Sequence, residues 1–178
     1  MLAAGRSSRF GSNKLLHDLG GDTLLSRALR ARGSYPAIVV TRSATAVALP
    51  ASGATVVIND ATERGMTHSL RLADAQVPPE HAIVVLPADL IEITPENVAS
   101  LVGQSHGADV TFPMRADGTP GHPVVFSAAA RRYIDELPDG DTLRLLRDRA
   151  NLNRRTVAVE EPWPYRDIDV DSDLDGIR

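Results

Sequence analysis

The sequence predicts an α/β fold: a three-layer α/β/α sandwich around a Rossmann-like, mostly parallel sheet. Two observations carry this reading. Short β-branched runs alternate with segments whose apolar residues recur at helical spacing, the pattern of strands joined by crossover helices. Each of the six runs is continuous rather than alternating, which points to strands buried on both faces.

The strand runs are Ala37–Thr41, Thr55–Ile58, Ile83–Leu86, Val110–Phe112, Val124–Phe126 and Thr156–Val159. Between them, Thr23–Ala31 places Leu24, Leu25, Ala28 and Leu29 at helical spacing. Met66–Ala75 places Met66, Leu70 and Ala73 on one face. Pro95–Val102 begins with Thr94 as N-cap and Pro95 at the first helical position. Ala128–Leu137 and Thr142–Arg149 complete the helical set. Pro78-Pro79 and Ala116–Gly121 read as loops, and the proline-broken Glu161–Tyr165 as an irregular segment or sheet edge. With no repeat and no low-complexity linker, the 178 residues read as one domain, 1–178.

Composition narrows the function classes. A hydrophobic fraction of 43% and a charged fraction of 24% are ordinary for a globular chain. No window reaches the roughly 18 apolar residues of a membrane span, and no secretory leader precedes the first loop. Zero cysteines exclude disulfides and thiolate metal sites and fit a cytoplasmic location. The net charge of −4 argues against a nucleic-acid binder. The charge is also polarised. Residues 1–16 carry Arg6, Arg9 and Lys14 and no acid, whereas Asp167, Asp169, Asp171, Asp173 and Asp175 follow one another near the end. Two solvated faces would look like this. So would cations for a polyphosphate and carboxylates for its metal.

Leu2–Lys14, LAAGRSSRFGSNK, is the densest motif. Its small Ala3, Ala4 and Gly5 allow close backbone approach, and Gly5 and Gly11 permit an anion-binding turn. Arg6, Arg9 and Lys14 can neutralise phosphates. The spacing is neither a Walker A loop nor a G-x-G-x-x-G fingerprint. A phosphate loop and an ordinary basic loop both remain open on these residues alone. Asp89 follows the apolar run IVVLPA, where open α/β sheets place ligands; a capping or turn aspartate is the plainer reading. Asp167 and Asp169 share one side of an extended segment, with Ile168 on the other. They suit a cation or an exposed acidic edge. His122, between Gly121 and Pro123, reads equally as a turn residue or a ligand contact. His68 reads as solvated, and no two histidines have zinc spacing. Ser69 lacks the flanks of a nucleophile elbow. Trp163 and Tyr165 read as packing residues.

LAAGRSSRFGSNK resembles the signature loop of the MobA/MocA-like nucleotidyltransferases, the enzymes of molybdenum cofactor cytidylyl and guanylyl transfer. Further motifs follow in that family's order. Gly65-Met66 with Ser69-Leu70 resembles the loop that contacts the nucleoside. Pro87-Ala88-Asp89 resembles the strand end with a metal aspartate. Pro120-Gly121-His122-Pro123 resembles the cytidylyltransferase substrate loop, and Asp167-Ile168-Asp169 the motif with the second metal aspartate. The resemblance implies a sheet of the nucleotide-diphospho-sugar transferase type. It also implies nucleotidyl transfer, of CMP by the Ala3-Ala4-Gly5 reading, from a nucleoside triphosphate to a phosphate on a small-molecule acceptor, molybdopterin cofactor in the cytidylyl branch. It implies catalytic roles for Lys14, Arg9 and Asp89. Nucleotide contacts fall to Leu2, Ala3, Ala4, Gly5, Arg6, Lys14, Gly65 and Ser69, and a substrate contact to His122. Asp89 and Asp169 become ligands of Mg2+, or Mn2+, with CTP as co-substrate. A molybdoenzyme is a possible partner; nucleic acid and membrane are not.

The sequence departs from the family at three places. Only Met1 stands before Leu2 where the family has several apolar strand residues, so the first strand is expected to be nearly missing, or the sheet rearranged. Asp89 is followed by Leu90-Ile91 rather than proline. Gly140-Asp141-Thr142 matches only the start of the family's Gly-Asp-x-Gly-Ala-Arg segment. These departures leave open a flavin- or nicotinamide-dependent oxidoreductase on this scaffold, and a non-catalytic nucleotide-binding maturation partner.

Overall fold

A computed structural model describes residues 1–5, 10, 13–49, 52–140 and 143–168. The strands are β1 (Leu2–Ala3), β2 (Ile38–Thr41), β3 (Thr55–Ile58), β4 (Ile83–Val85), β5 (Val110–Met114), β6 (Val124–Phe126) and β7 (Arg154–Ala158). The helices are α1 (Leu24–Ala31), α2 (Ser43–Ala46), α3 (Gly65–Asp74), α4 (Pro95–Gly103), α5 (Ala128–Arg131) and α6 (Leu143–Arg147).

β1, β2 and β3 pair in parallel, and a second ladder runs β4-β6-β5-β7, with β6 antiparallel to both neighbours. Leu2 joins the two ladders. Its amide donates to the Leu86 carbonyl at 3.0 Å, and its own carbonyl accepts from the Ala88 amide at 3.2 Å. The strand order is therefore β3-β2-β1-β4-β6-β5-β7. The first strand keeps its central place at a length of two residues, and the sheet is not rearranged.

Helices cover both faces. α1 is capped by Thr23, whose hydroxyl accepts from the Ser26 amide at 3.1 Å, and it buries Leu25, Ala28 and Leu29 against Ala3 and Val39. α4 starts with the Thr94–Asn97 capping box and packs Val98 under Leu86 and Ala31. On the other face, Leu70 of α3 and Ala130 of α5 meet Val85, Val110, Val124 and Phe126. Burying a leucine completely contributes about 1.5–3 kcal/mol, so Leu24, Leu25, Leu70, Leu101 and Leu146 pin these layers.

Three expectations are corrected. The apolar run of β3 does not mean burial on both faces: Val56 and Ile58 are 44% exposed, because β3 ends the sheet and its outer face has no long helix over it. β7 is an exposed edge for the same reason. The helix expected over Ala128–Leu137 ends at Arg131, and Ile134 and Leu137 reach the core from turns instead. Met66 lies on the outer face of α3, whose buried positions are Thr67, Ser69 and Leu70. Trp163 packs with Leu86 and Val98, and the guanidinium of Arg115 sits 4.0 Å over the Tyr165 ring.

Candidate active site

The carboxyl ends of β1, β2 and β4 and the loops after them gather the chemistry-bearing residues. β1 delivers Ala3 and Ala4, both buried, and then Gly5, which is exposed. Arg6 and Arg9 lie outside the described residues. Asn13 caps a 3-10 turn over Lys14–Leu16 by accepting from the Leu15 amide at 3.2 Å. The Asn13 amide nitrogen donates to Thr45 Oγ1 at 2.7 Å, and Leu15 is sunk in the α1 core. With both neighbours fixed, Lys14 points across the strand ends. Its Nζ lies 2.8 Å from Asp89 Oδ2 and also donates to the Ile168 carbonyl.

Asp89 is placed by the strand behind it and by a segment far along the chain. Ala88 and Leu90 are buried on either side. Residues Arg166–Ile168 run antiparallel to Asp89–Ile91: Leu90 bridges Asp167, and the Ile168 amide donates to the Asp89 carbonyl at 3.2 Å. Ile168 is completely buried against Leu19, Leu24 and Ile91, so the alternation expected for this segment leaves Asp167 on the exposed side. Asp169 lies outside the described residues.

His122 closes the site from the loop between β5 and β6. Its amide donates to the Pro164 carbonyl at 2.9 Å, and the His122–Pro123 bond is cis. Burial pushes its imidazole below the ordinary 6.5; Asp89 and Asp167 oppose this and Arg147 adds to it. The ring is thus largely neutral at pH 7 and within electrostatic reach of both aspartates. Arg147, which the sequence did not single out, lies within electrostatic reach of His122. It ends α6, and its guanidinium lies 5.3 Å over the Phe112 ring and is held by Asp148 at 2.8 and 3.0 Å. Its helix begins just after Gly140-Asp141-Thr142, of which Asp141 and Thr142 lie outside the described residues.

Gly65-Met66 and Ser69-Leu70, expected to contact the nucleoside, lie on α3, which packs against β1 and β2. Gly65 starts the helix at φ 77°, and a Cβ there would stand 2.6 Å from Gly140 Cα. Only glycine fits that position. Ser69 faces inward: its hydroxyl accepts from Asn59 Nδ2 at 2.8 Å. Asn59 is another residue the sequence reading missed. It is 2% exposed, at the end of β3, and its Oδ1 has no hydrogen-bond partner among the described residues. Buried side-chain polar atoms without a partner are uncommon, which sets Asn59 apart. One asparagine after a β-branched run carries no such signal in sequence. His68 sits beside Arg64 on the outer turn, its Nε2 3.5 Å from the guanidinium.

The donor set suits a hard cation. Asp89 offers a partly exposed carboxylate, the hard oxygen donor such ions take, and in this structure it is paired with the Lys14 ammonium. Among the described residues no three acids or histidines converge as a closed metal cage. An octahedral metal bound to one or two carboxylates and substrate phosphates needs none.

Comparison with known proteins gives the family and the fold. The family model described as the MobA-like NTP transferase domain matches residues 1–155. The crystal structure of Rv0371c from Mycobacterium tuberculosis H37Rv superposes with a TM-score of 0.83 at 27% identity, covering 98% of this chain and 93% of that one. Its homologue from Mycobacterium sp. strain JC1 gives a TM-score of 0.83 at 30% identity, over 98% of this chain and 90% of that one. Molybdopterin-guanine dinucleotide biosynthesis protein A from Archaeoglobus fulgidus shares the fold at 19% identity and a TM-score of 0.75, over 99% and 94% of the two chains. No curated protein sequence gives a significant match. With the family model spanning residues 1–155 and the fold shared end to end, this nucleotidyltransferase chain belongs to the MobA-like NTP transferase domain family.

Proposed function

We propose that this nucleotidyltransferase moves CMP from CTP to a terminal phosphate of molybdopterin cofactor and releases pyrophosphate. The observation that carries the reading is the meeting of Lys14, Asp89 and His122 at the carboxyl ends of the central strands, with Asp167 alongside. A phosphate oxygen of the acceptor attacks the α-phosphorus; the bond to the bridging oxygen of pyrophosphate breaks, and that oxygen keeps the electron pair. No covalent enzyme intermediate is needed, so the protein contributes position and charge.

The triphosphate lies along Ala3, Ala4 and Gly5, whose small side chains expose backbone amides. Lys14 and Arg9 balance its charge, and Arg6 adds to the same loop. Gly65 and Ser69 flank the nucleoside. Ala4 is buried, and its methyl group crowds a purine more than a pyrimidine, which favours cytosine. His122, neutral, offers one ring N–H and one lone pair to the acceptor. Asp89, joined by Asp169, would hold Mg2+ or Mn2+, which when bound neutralises phosphate oxygens and polarises the α-phosphorus. A manganese complex of Rv0371c, at 26% identity, supports a divalent ion for this scaffold. In the cytoplasm, a molybdoenzyme partner would receive this product.

The deciding measurement is pyrophosphate release with CTP, GTP, ATP and UTP in Mg2+, with and without molybdopterin cofactor. CTP-specific, acceptor-dependent release is the expected result. Preference for GTP would overturn the base assignment, and release that ignores the cofactor would overturn the acceptor. Tight flavin binding with no release would replace the reading with a redox one.

A further inference from the structure

Among the described residues the sheet ends at β7, whose outer side meets no strand. The Asn153 carbonyl accepts from the Val110 amide at 3.1 Å, and the Val159 amide donates to the Met114 carbonyl at 3.1 Å. Residues 153, 155, 157 and 159 therefore turn their backbone groups to β5. Alternation turns the amides and carbonyls of Arg154, Thr156 and Ala158 outward, where another strand could pair with them.

The two sides of this edge differ. On the α6 side stand arginines. Residues 143–158 carry Arg144, Arg147, Arg149, Arg154 and Arg155 against one acid, Asp148, in a chain whose net charge is −4. Three guanidiniums converge on that one carboxylate: Arg147 Nε at 2.8 Å, Arg144 Nε at 3.5 Å and Arg154 Nη1 at 3.9 Å. Positive charge is left over, and Arg144 and Arg154 are exposed. On the α4 side, Arg155 is committed to the end of α4, where it donates to the Gln104 carbonyl at 2.9 Å. Beside it lies a cleft of about 230 Å³ between α4 and β7, whose lining includes Leu101, Val157, Val159 and Trp163. Glu161 also lines this cleft and would repel a carboxylate there.

Arginine on an edge strand discourages pairing with a second copy, because that would bring another arginine cluster alongside the first. The same charges attract an acidic strand. We infer that β7 is a docking edge for a partner protein: it takes an extended segment of alternating acidic and aliphatic residues as an antiparallel strand. The acids lie on the arginine side and the aliphatic side chains over the cleft. The register is consistent with this pattern. A residue opposite Thr156 turns its amide and carbonyl to β7 and its side chain to the α6 face, and the residue two further on faces Arg154. Main-chain bonds give affinity, and the two unlike faces select the alternation.

The test follows fluorescence polarisation of labelled acetyl-Glu-Val-Glu-Val-Glu-amide with the full chain, in the absence of nucleotide. Saturable binding is expected, weakened about fivefold between about 50 and about 300 mM NaCl. Methylating the nitrogen of the central glutamate removes a main-chain donor and should weaken binding about tenfold. Serine in place of both valines should weaken it about fivefold, and acetyl-Lys-Val-Lys-Val-Lys-amide should not bind. Arg144→Glu combined with Arg154→Glu, both at exposed side chains, should weaken the first peptide about tenfold. No binding of the first peptide overturns the inference. So does equal binding of any of the three control peptides, or an unchanged affinity in the arginine variant. A peptide-free dimer in sedimentation, abolished by Arg154→Glu, would give the edge to a second copy and overturn it too. Nucleotidyl transfer plays no part in these readouts.

Discussion

Lys14 Nζ lies 2.8 Å from Asp89 Oδ2, joining the first loop of the chain to the end of a strand 75 residues later. On the proposed function, the pair brings a cation for phosphate and a carboxylate for metal to the same point. A triphosphate with its metal would then change both partners together, the ammonium turning to phosphate and the carboxylate to the metal. Lys14→Ala or Asp89→Asn should therefore lower turnover by about 10²–10³-fold, the range for removal of one charge-stabilising group. The pair is partly solvent-exposed, so urea unfolding should shift by only about 1 kcal/mol. Near-wild-type rates of pyrophosphate release in either variant would exclude these roles.

The parts of this site that were legible in sequence were those with strong local chemistry. Lys14 at the end of the basic glycine-containing motif, Asp89 after its apolar strand and the Asp167-Ile168 segment all reach the same strand ends. Asn59 and Arg147 were not legible, because each earns its place through tertiary burial. Asn59 is an ordinary polar residue until α3 closes over it, and Arg147 one arginine among many until Phe112 lies beneath it. The same limit explains β3. Its sequence is as apolar as that of β2, and only its place at the edge of the sheet exposes Val56 and Ile58.

Gly121 controls His122 through close packing. A Cβ at Gly121 would stand 2.7 Å from Pro164 Cβ and 2.7 Å from Tyr165 Cε1, and Pro164 O accepts the His122 amide. Gly121→Ala should force the two loops apart at a cost of about 1–3 kcal/mol. If His122 contacts the acceptor as proposed, the acceptor KM should rise more than the KM for nucleotide. Steady-state kinetics with each substrate varied in turn separates the two, and equal changes would detach His122 from the acceptor side.

Arg131 is the most heavily bonded buried charge among the described residues. At 6% exposure it reaches Asp74 Oδ1 at 2.6 Å and the carbonyls of Pro78, His81, Asp74 and Val77 at 2.6, 2.7, 3.1 and 3.0 Å. It ties the end of α3 and the Pro78-Pro79 loop to α5. Arg131→Leu strands Asp74 and four carbonyls and should cost about 3–5 kcal/mol. Arg131→Lys keeps the charge but loses the planar fork, and should recover less than half of that. Urea denaturation of the three proteins measures both steps; full recovery by lysine would show that charge, and not the fork, holds the loop.

His122 gives stability a pH dependence of defined sign. Burial lowers its pKa from the ordinary 6.5, and outweighs the opposing pull of Asp89 and Asp167. The unfolded chain therefore holds this proton over a range where the folded chain has released it. By linkage, stability is full above the ordinary 6.5 and is lost as pH falls through the lowered folded value. His122→Gln, which removes the titrating group, should flatten the fall in urea midpoints from about pH 7 to about pH 5. An unchanged slope in that variant would place the His122 ring in water rather than in the buried loop.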